Sequence, residues 1–228
     1  MAKSKMIKDL ANGSIDLKTA LKRTKVLLSD LDNKELINWI NYELSGYPKT
    51  ESLPEYRTTK GHLMGSYFKG SIVSHMTWTN VSLPLGNMPE DVKEHILTVN
   101  FYEGIEALML LAETNVEDKS EIATIVPADM FPVIATYNDD PYMIITSARV
   151  QVSRHVIVNI LSVIENKLLD ILLLLEKEFG NLDEMDLDIT HKTNEDLKTI
   201  AEQIIVIVYN DQSVSIGDEN KIKDVTIN

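Results

Sequence analysis

The sequence predicts an α+β fold that is mostly α: a helical domain around one long central helix, a small β-element, and a C-terminal β-solenoid-like or β-hairpin tail. Three observations carry this. Residues 152–179 hold an apolar stripe at helical spacing; residues 53–85 and 142–152 are β-prone; residues 204–228 alternate apolar with polar residues between turn signals.

In the long stretch, Ile157, Leu161, Ile164, Leu168, Ile171 and Leu175 recur at steps of four and three, a heptad seam. Ile160, Val163, Leu172 and Leu173 widen it into the broad face of a core helix rather than a free coiled coil. Ser153 is placed to cap its start and Gly180-Asn181 to stop it. Glu165, Asn166, Lys167 and Asp170 interrupt it, so it does not read as a membrane span.

Ahead of it, residues 3–11 read as a short helix ended by Asn12-Gly13. A second helix starts near Ser14 or Asp16 and buries Leu17, Leu21, Leu27, Leu28 and Leu31. Asp32 and Glu35 have capping-box spacing for a third, over roughly 33–45, with Gly46 and Pro48 closing it. From Leu53 to Leu85 glycines punctuate β-prone residues, predicting two or three strands. One or two helices then run from about Pro89 to Thr114, and residues 116–120 form a charged turn. EIATIV reads as a strand, ADMFPVIATY as a short helix or turn, Asn138–Pro141 as a turn and YMIITSARVQV as the best strand in the chain. Domain boundaries are placed at 1–182 for the α+β domain, 183–203 for an acidic linker with a short helix from Asn194 to Gln203, and 204–228 for a β-rich tail.

In that tail Val206, Val208, Val214, Ile216, Ile222, Val225 and Ile227 alternate with polar residues. One or two rungs cannot bury a continuous β-core alone, and exposed strand edges pair with something. The expectation is a homo-oligomer, such as a trimer, assembled through these residues.

The chain has 228 residues, 44% of them hydrophobic and 25% charged, enough for a real core. The absence of cysteine excludes disulfides and thiolate chemistry and agrees with a reducing compartment. Lysines near the N-terminus are not followed by an apolar run, so no signal peptide is read, and a cytoplasmic location is expected. The net charge of −13 disfavours nucleic-acid binding, which needs a basic face. Acidic residues concentrate in 176–196, read as a solvated linker.

Known catalytic spacings are missing: there is no G-x-G-x-x-G, P-loop, H-E-x-x-H or G-x-S-x-G. The five histidines are scattered, Asp139-Asp140 precedes a proline as turns do, and Asp211–Asn220 lacks the glycine of a calcium loop. No catalytic residue, metal ligand, cofactor or membrane partner is assigned.

Trp39-Ile40-Asn41-Tyr42-Glu43-Leu44-Ser45-Gly46-Tyr47-Pro48, followed by Leu53-Pro54-Glu55-Tyr56-Arg57, is more specific than a helix stop requires. It resembles the signature of the AbiTii domain of bacterial abortive-infection proteins, W-x-x-x-E-L-x-G-Y-P then L-P-x-Y-R. KVLLSDLDNKEL, FYEGIEAL and VSRHVIVNIL follow the same order, and the resemblance covers roughly residues 5–185. It implies a role in phage defence, with no catalytic residues to carry over. Trp39, Glu43, Gly46, Tyr47, Pro48, Pro54, Tyr56 and Arg57 are read as mainly structural, Arg57 being a candidate ion-pair partner for Glu43. Two functions stand: a non-enzymatic, self-assembling defence component whose partners are itself and another defence-system or phage protein, or a toxic effector enzyme, nuclease-like for example.

Overall fold

The computed structural model describes residues 3–71, 73–113, 121–140 and 142–209. In chain order these form α1 (Lys5–Ala11), α2 (Leu17–Ser29), α3 (Lys34–Ser45), β1 (Thr58–Lys60), β2 (His62–Gly70), β3 (His75–Ser82), α4 (Glu90–Leu97), β4 (Thr98–Asn100), α5 (Ile105–Glu113), β5 (Glu121–Ile125), α6 (Phe131–Thr136), β6 (Ile144–Ser153), α7 (His155–Phe179) and α8 (Asn194–Tyr209). The α+β class is therefore observed, and no closed solenoid occurs among the described residues. The chain divides into a first unit, Met1–Ile40 with Asn166–Asn228, and a second, Asn41–Glu165. The boundaries fall inside α3 and α7.

The first unit is helical. Asp16 caps α2 by accepting the Thr19 amide at 2.8 Å, and α2 buries Leu21, Leu27 and Leu28 completely. The cap of α3 is Asn33, whose side-chain oxygen accepts the Glu35 and Leu36 amides at 3.0 and 3.2 Å. It is not Asp32, which occupies the left-handed turn position between the helices at φ 46°. The C-terminal part of α7 contributes Leu168, Ile171, Leu172 and Leu175 to the core, all fully buried.

Residues 204–209 depart from the expected tail. They are the last turns of α8, so Val206 and Val208 are helical and not strand residues. Ile200, Ala201, Ile204, Ile207 and Val208 form one buried stripe at helical spacing. The start is fixed by a capping box: Thr193 Oγ1 accepts the Asp196 amide at 3.2 Å while Asp196 accepts the Thr193 amide at 2.8 Å. A run of β-branched residues is ambiguous on its own, and here capping and burial on one side outweigh strand propensity. Val214, Ile216, Ile222, Val225 and Ile227 lie outside the described residues.

The acidic stretch is pinned in place. Asp183 accepts the Lys5 amide at 2.6 Å, satisfying a first-turn donor of α1. The Leu182 amide donates to Ser4 Oγ at 3.0 Å, the Leu187 amide to Asp30 at 3.0 Å, and Lys192 donates to Glu178 at 2.7 Å. Leu182 and Leu187 are buried.

In the second unit a four-stranded antiparallel sheet has the order β3-β2-β6-β5, beside a two-stranded ribbon β1-β4. The segment expected as one or two helices is two, α4 and α5, separated by β4. The sheet buries Leu63 and Tyr67 from β2 and Ile145, Ala148, Val150 and Val152 from β6, against which α6 packs. On β6 the buried positions switch from odd to even numbers. The cause is a slip in register: Ser66 faces Ser147 but Tyr67 faces Ile145, leaving Thr146 over. On the other side of β2, Thr79 and Asn80 together oppose Ser66. Both bulges close on that one serine, whose Oγ accepts the Asn80 amide and whose carbonyl accepts the Thr146 hydroxyl, each at 3.1 Å. Arg149 reaches across to donate to the Asn80 side chain.

Glu176 supplies a test. Its carboxylate accepts from the Ser4 amide at 2.6 Å and the Ser4 hydroxyl at 2.5 Å, and pairs with Lys3 at 2.8 Å, the glutamate side chain being 13% exposed. Burial pushes its pKa up, but the hydrogen bonds from Lys3 and Ser4 outweigh that and hold it at about 2, against an ordinary 4.5. A depressed folded-state pKa gives stability that is present above the ordinary value and lost as pH falls toward the folded one. Wild type should therefore lose roughly 1–2 kcal/mol relative to Glu176→Gln between about pH 5 and pH 3, after allowance for solvent screening. Urea midpoints of the two proteins at both pH values check this; parallel curves would rule out the carboxylate.

Candidate functional site

The motif residues converge at the end of α3. Leu36, Trp39, Ile40, Glu43 and Tyr47 are buried, at the three- and four-residue steps of one helical face continued past the helix end. Glu43 thus occupies a core position where an apolar residue would be expected. Its partner arrives on a short 3-10 turn, Glu55–Arg57, started by buried Pro54, whose carbonyl accepts the Arg57 amide at 2.9 Å.

Glu43 and Arg57 form an ion pair whose side chains are both 0% exposed. One Glu43 oxygen accepts from Tyr47 Oη at 2.6 Å, Tyr56 Oη at 2.8 Å and Arg57 Nε at 3.3 Å. The other accepts from Arg57 Nη2. The carboxylate thus takes four hydrogen bonds, three on one oxygen and one on the other. Arg57 Nη1 donates to the carbonyls of Phe101 at 3.2 Å and Glu103 at 2.6 Å. The guanidinium also lies 4.9 Å from the centre of the Tyr47 ring, which in turn is tilted against Tyr42.

Electrostatics hold Tyr47 and Arg57 in their protonated forms. Burial pushes the Tyr47 phenol well above its ordinary range, and the Glu43 charge adds to the rise, so the phenol stays protonated and donates. Burial opposes the Arg57 charge, but the Glu43 carboxylate more than compensates and holds the guanidinium above its ordinary value.

Backbone approach explains the glycine. Gly46 sits at φ +99°, and a Cβ there would lie 2.8 Å from the Tyr102 carbonyl oxygen. The Tyr47 amide donates to that same oxygen at 2.7 Å. Gly104 meets the segment from the other side: its Cβ would lie 2.7 Å from the Leu44 carbonyl oxygen. The Phe101 amide donates to the Arg57 carbonyl at 2.9 Å, next to the β1-β4 ribbon.

The structure therefore brings together Glu43, Gly46, Tyr47, Tyr56 and Arg57 and confirms the Glu43–Arg57 pairing. Trp39 is wholly buried, and Pro48 is exposed, its carbonyl accepting the Glu51 amide in a turn. The sequence reading did not give the Phe101 and Glu103 carbonyls or Gly104 a place here. Main-chain acceptors carry no side-chain signature, and the only trace was the glycine of Phe101-Tyr102-Glu103-Gly104. Asp139 and Asp140 have separate partners, Asn87 at 2.6 Å and Lys69 at 3.3 Å. Among the described residues no group of three or more acidic or histidine side chains could hold a metal ion, and no helix is long and apolar enough to cross a membrane.

The AbiTii family model matches residues 4–200, most of the chain. The chain belongs to the AbiTii family. That family is associated with abortive infection. The match takes in the Glu43–Arg57 network and reaches into α8. No curated protein and no solved structure matches the chain.

Two substitutions probe this AbiTii network. Arg57→Ala should cost about 3–5 kcal/mol, because it leaves the Glu43 carboxylate buried without its countercharge, whereas Glu43→Leu with Arg57→Met should recover much of that loss. Denaturant titration of the single and double variants measures the coupling, and additive losses would contradict it. Gly46→Ala should cost at least about 2 kcal/mol, combining left-handed strain with a clash against fixed backbone.

Proposed function

We propose that this AbiTii protein is a non-enzymatic, self-assembling component of a bacterial phage-defence system, acting through protein–protein contact and oligomerising through residues 210–228. The observation that carries the reading is that the Glu43 carboxylate is wholly buried and takes four donors from its own motif. Glu43, Tyr47, Tyr56 and Arg57 are the family-motif residues best suited to acid–base work, and they spend their hydrogen bonds on one another and on main-chain carbonyls. The motif then specifies architecture, and interaction is carried elsewhere.

The tail is the candidate for that work. After α8, Val214, Ile216, Ile222, Val225 and Ile227 still alternate with polar residues. Its departure point is fixed: buried Lys167 donates to the Ile207 carbonyl at 2.8 Å, placing a cation at the negative end of the α8 dipole. A strand formed there would bury too little alone and would gain by pairing between copies. Another defence-system or phage protein would be recognised by the assembled form, in the cytoplasm.

Cells expressing the full chain and cells expressing a chain ending at Tyr209 should differ in survival of the culture under phage challenge, with protection confined to the full chain. Sedimentation should show the full chain as an oligomer and the shorter one as a monomer. Equal mass for the two, or protection without association, would reject the reading.

A further inference from the structure

The four-stranded sheet ends in two open edges among the described residues, β3 and β5, and they are not equivalent. The β3 edge carries its bulge at Thr79-Asn80, with Asn80 at φ 53°, which twists it away from regular pairing. The β5 edge is regular: Glu121 to Ile125 pair with Ser153 to Arg149 without a slip.

The direction of the free backbone groups on β5 follows from one hydrogen bond. The Val126 amide donates to the Ala148 carbonyl at 3.0 Å. In an antiparallel ladder, residues alternate between those bonded to the neighbouring strand and those turned away from it. Val126, Thr124 and Ile122 are thus the bonded set, and Glu121, Ala123 and Ile125 turn their N–H and C=O groups to the open edge. Those three residues are exposed, Ile125 to 81%. Such an edge is a template for an added strand; β5 holds no lysine and no proline, and its one charge is Glu121.

We propose that the β5 edge of one molecule is the docking site for the tail of a second, with Lys223–Ile227 added as the outermost strand. This rests on the self-association reading above and names the surface that serves it. Nineteen residues follow Tyr209, and at about 3.3 Å per extended residue they reach on the order of 60 Å from the anchored end of α8. In an extended strand Lys223, Val225 and Ile227 would share one face. Laid parallel to β5, they fall beside Glu121, Ala123 and Ile125, matching one charge pair and two apolar pairs.

Because the outward amides are distinct from the inward ones, the test separates docking from folding. Ala123→Pro removes an N–H that faces the open edge and leaves the ladder to β6 intact. It should keep the circular dichroism of the wild type and weaken association of the full chain by at least about tenfold. Glu121→Lys should also weaken it, and adding Lys223→Glu should restore it. Hydrogen exchange should show the Ala123 and Ile125 amides protected in the full chain and open in a chain ending at Tyr209. Undiminished association of Ala123→Pro overturns this site while leaving tail-driven assembly standing. A monomeric full chain overturns both, and protection of those amides within a monomer assigns the edge to the chain's own tail instead.

Discussion

Taking the Glu43 carboxylate and the Arg57 guanidinium fully out of water carries a desolvation cost of several kcal/mol for each ion, and their mutual attraction offsets it only when the remaining hydrogen-bonding capacity is also met. The second unit is arranged to meet it. Tyr47 and Tyr56 complete the carboxylate, and two carbonyls from residues 101–103 complete the guanidinium. Delivering those carbonyls brings the segment after β4 against the end of α3, at a spacing only glycine permits on both sides. The end of α3, the 3-10 turn, the β1-β4 ribbon and the start of α5 thus answer to one pair of charges.

That arrangement changes what the motif says about activity. A carboxylate, an arginine and two phenols in close contact look like a reaction centre when read as a list of side chains. Read with their partners, the carboxylate is wholly buried and takes four donors, and the phenol of Tyr47 is held protonated. Among the described residues, the β5 edge of the sheet is regular and unpaired on its outer side. This is the ground on which assembly, rather than chemistry, is proposed.

Much of the fold was legible in the sequence because it depends on local signals. The limits of α2, α3 and α7 follow from Asp16, Gly46 and Gly180, and the Glu43–Arg57 pair could be guessed from residue type alone. Other features were hidden for identifiable reasons. The parity switch on β6 was not read from the sequence; only pairing with Ser66 shows that Thr146 is the extra residue. Val206 and Val208 satisfy a strand pattern and a helix pattern equally, and the stripe from Ile200 to Val208 decides between them. The acidic run after α7 has the composition of a solvated linker. Its composition gives no hint that Asp183 would serve α1 from across the sequence.

That long-range service bears on how the protein is made. Ser4 and Lys5 find their acceptors at Glu176 and Asp183, separated by 172 and 178 residues. During synthesis the first turn of α1 therefore waits, its donors bonded to water, until nearly the whole polypeptide has left the ribosome. The continuous segment Asn41–Glu165 is under no such delay and is complete in sequence before the first unit receives its second half. The order of emergence makes the helical unit the last to close, and the residues after Tyr209 emerge only when it does. If association is carried by residues after Tyr209, as proposed, the helical unit and the residues that would join copies become available together.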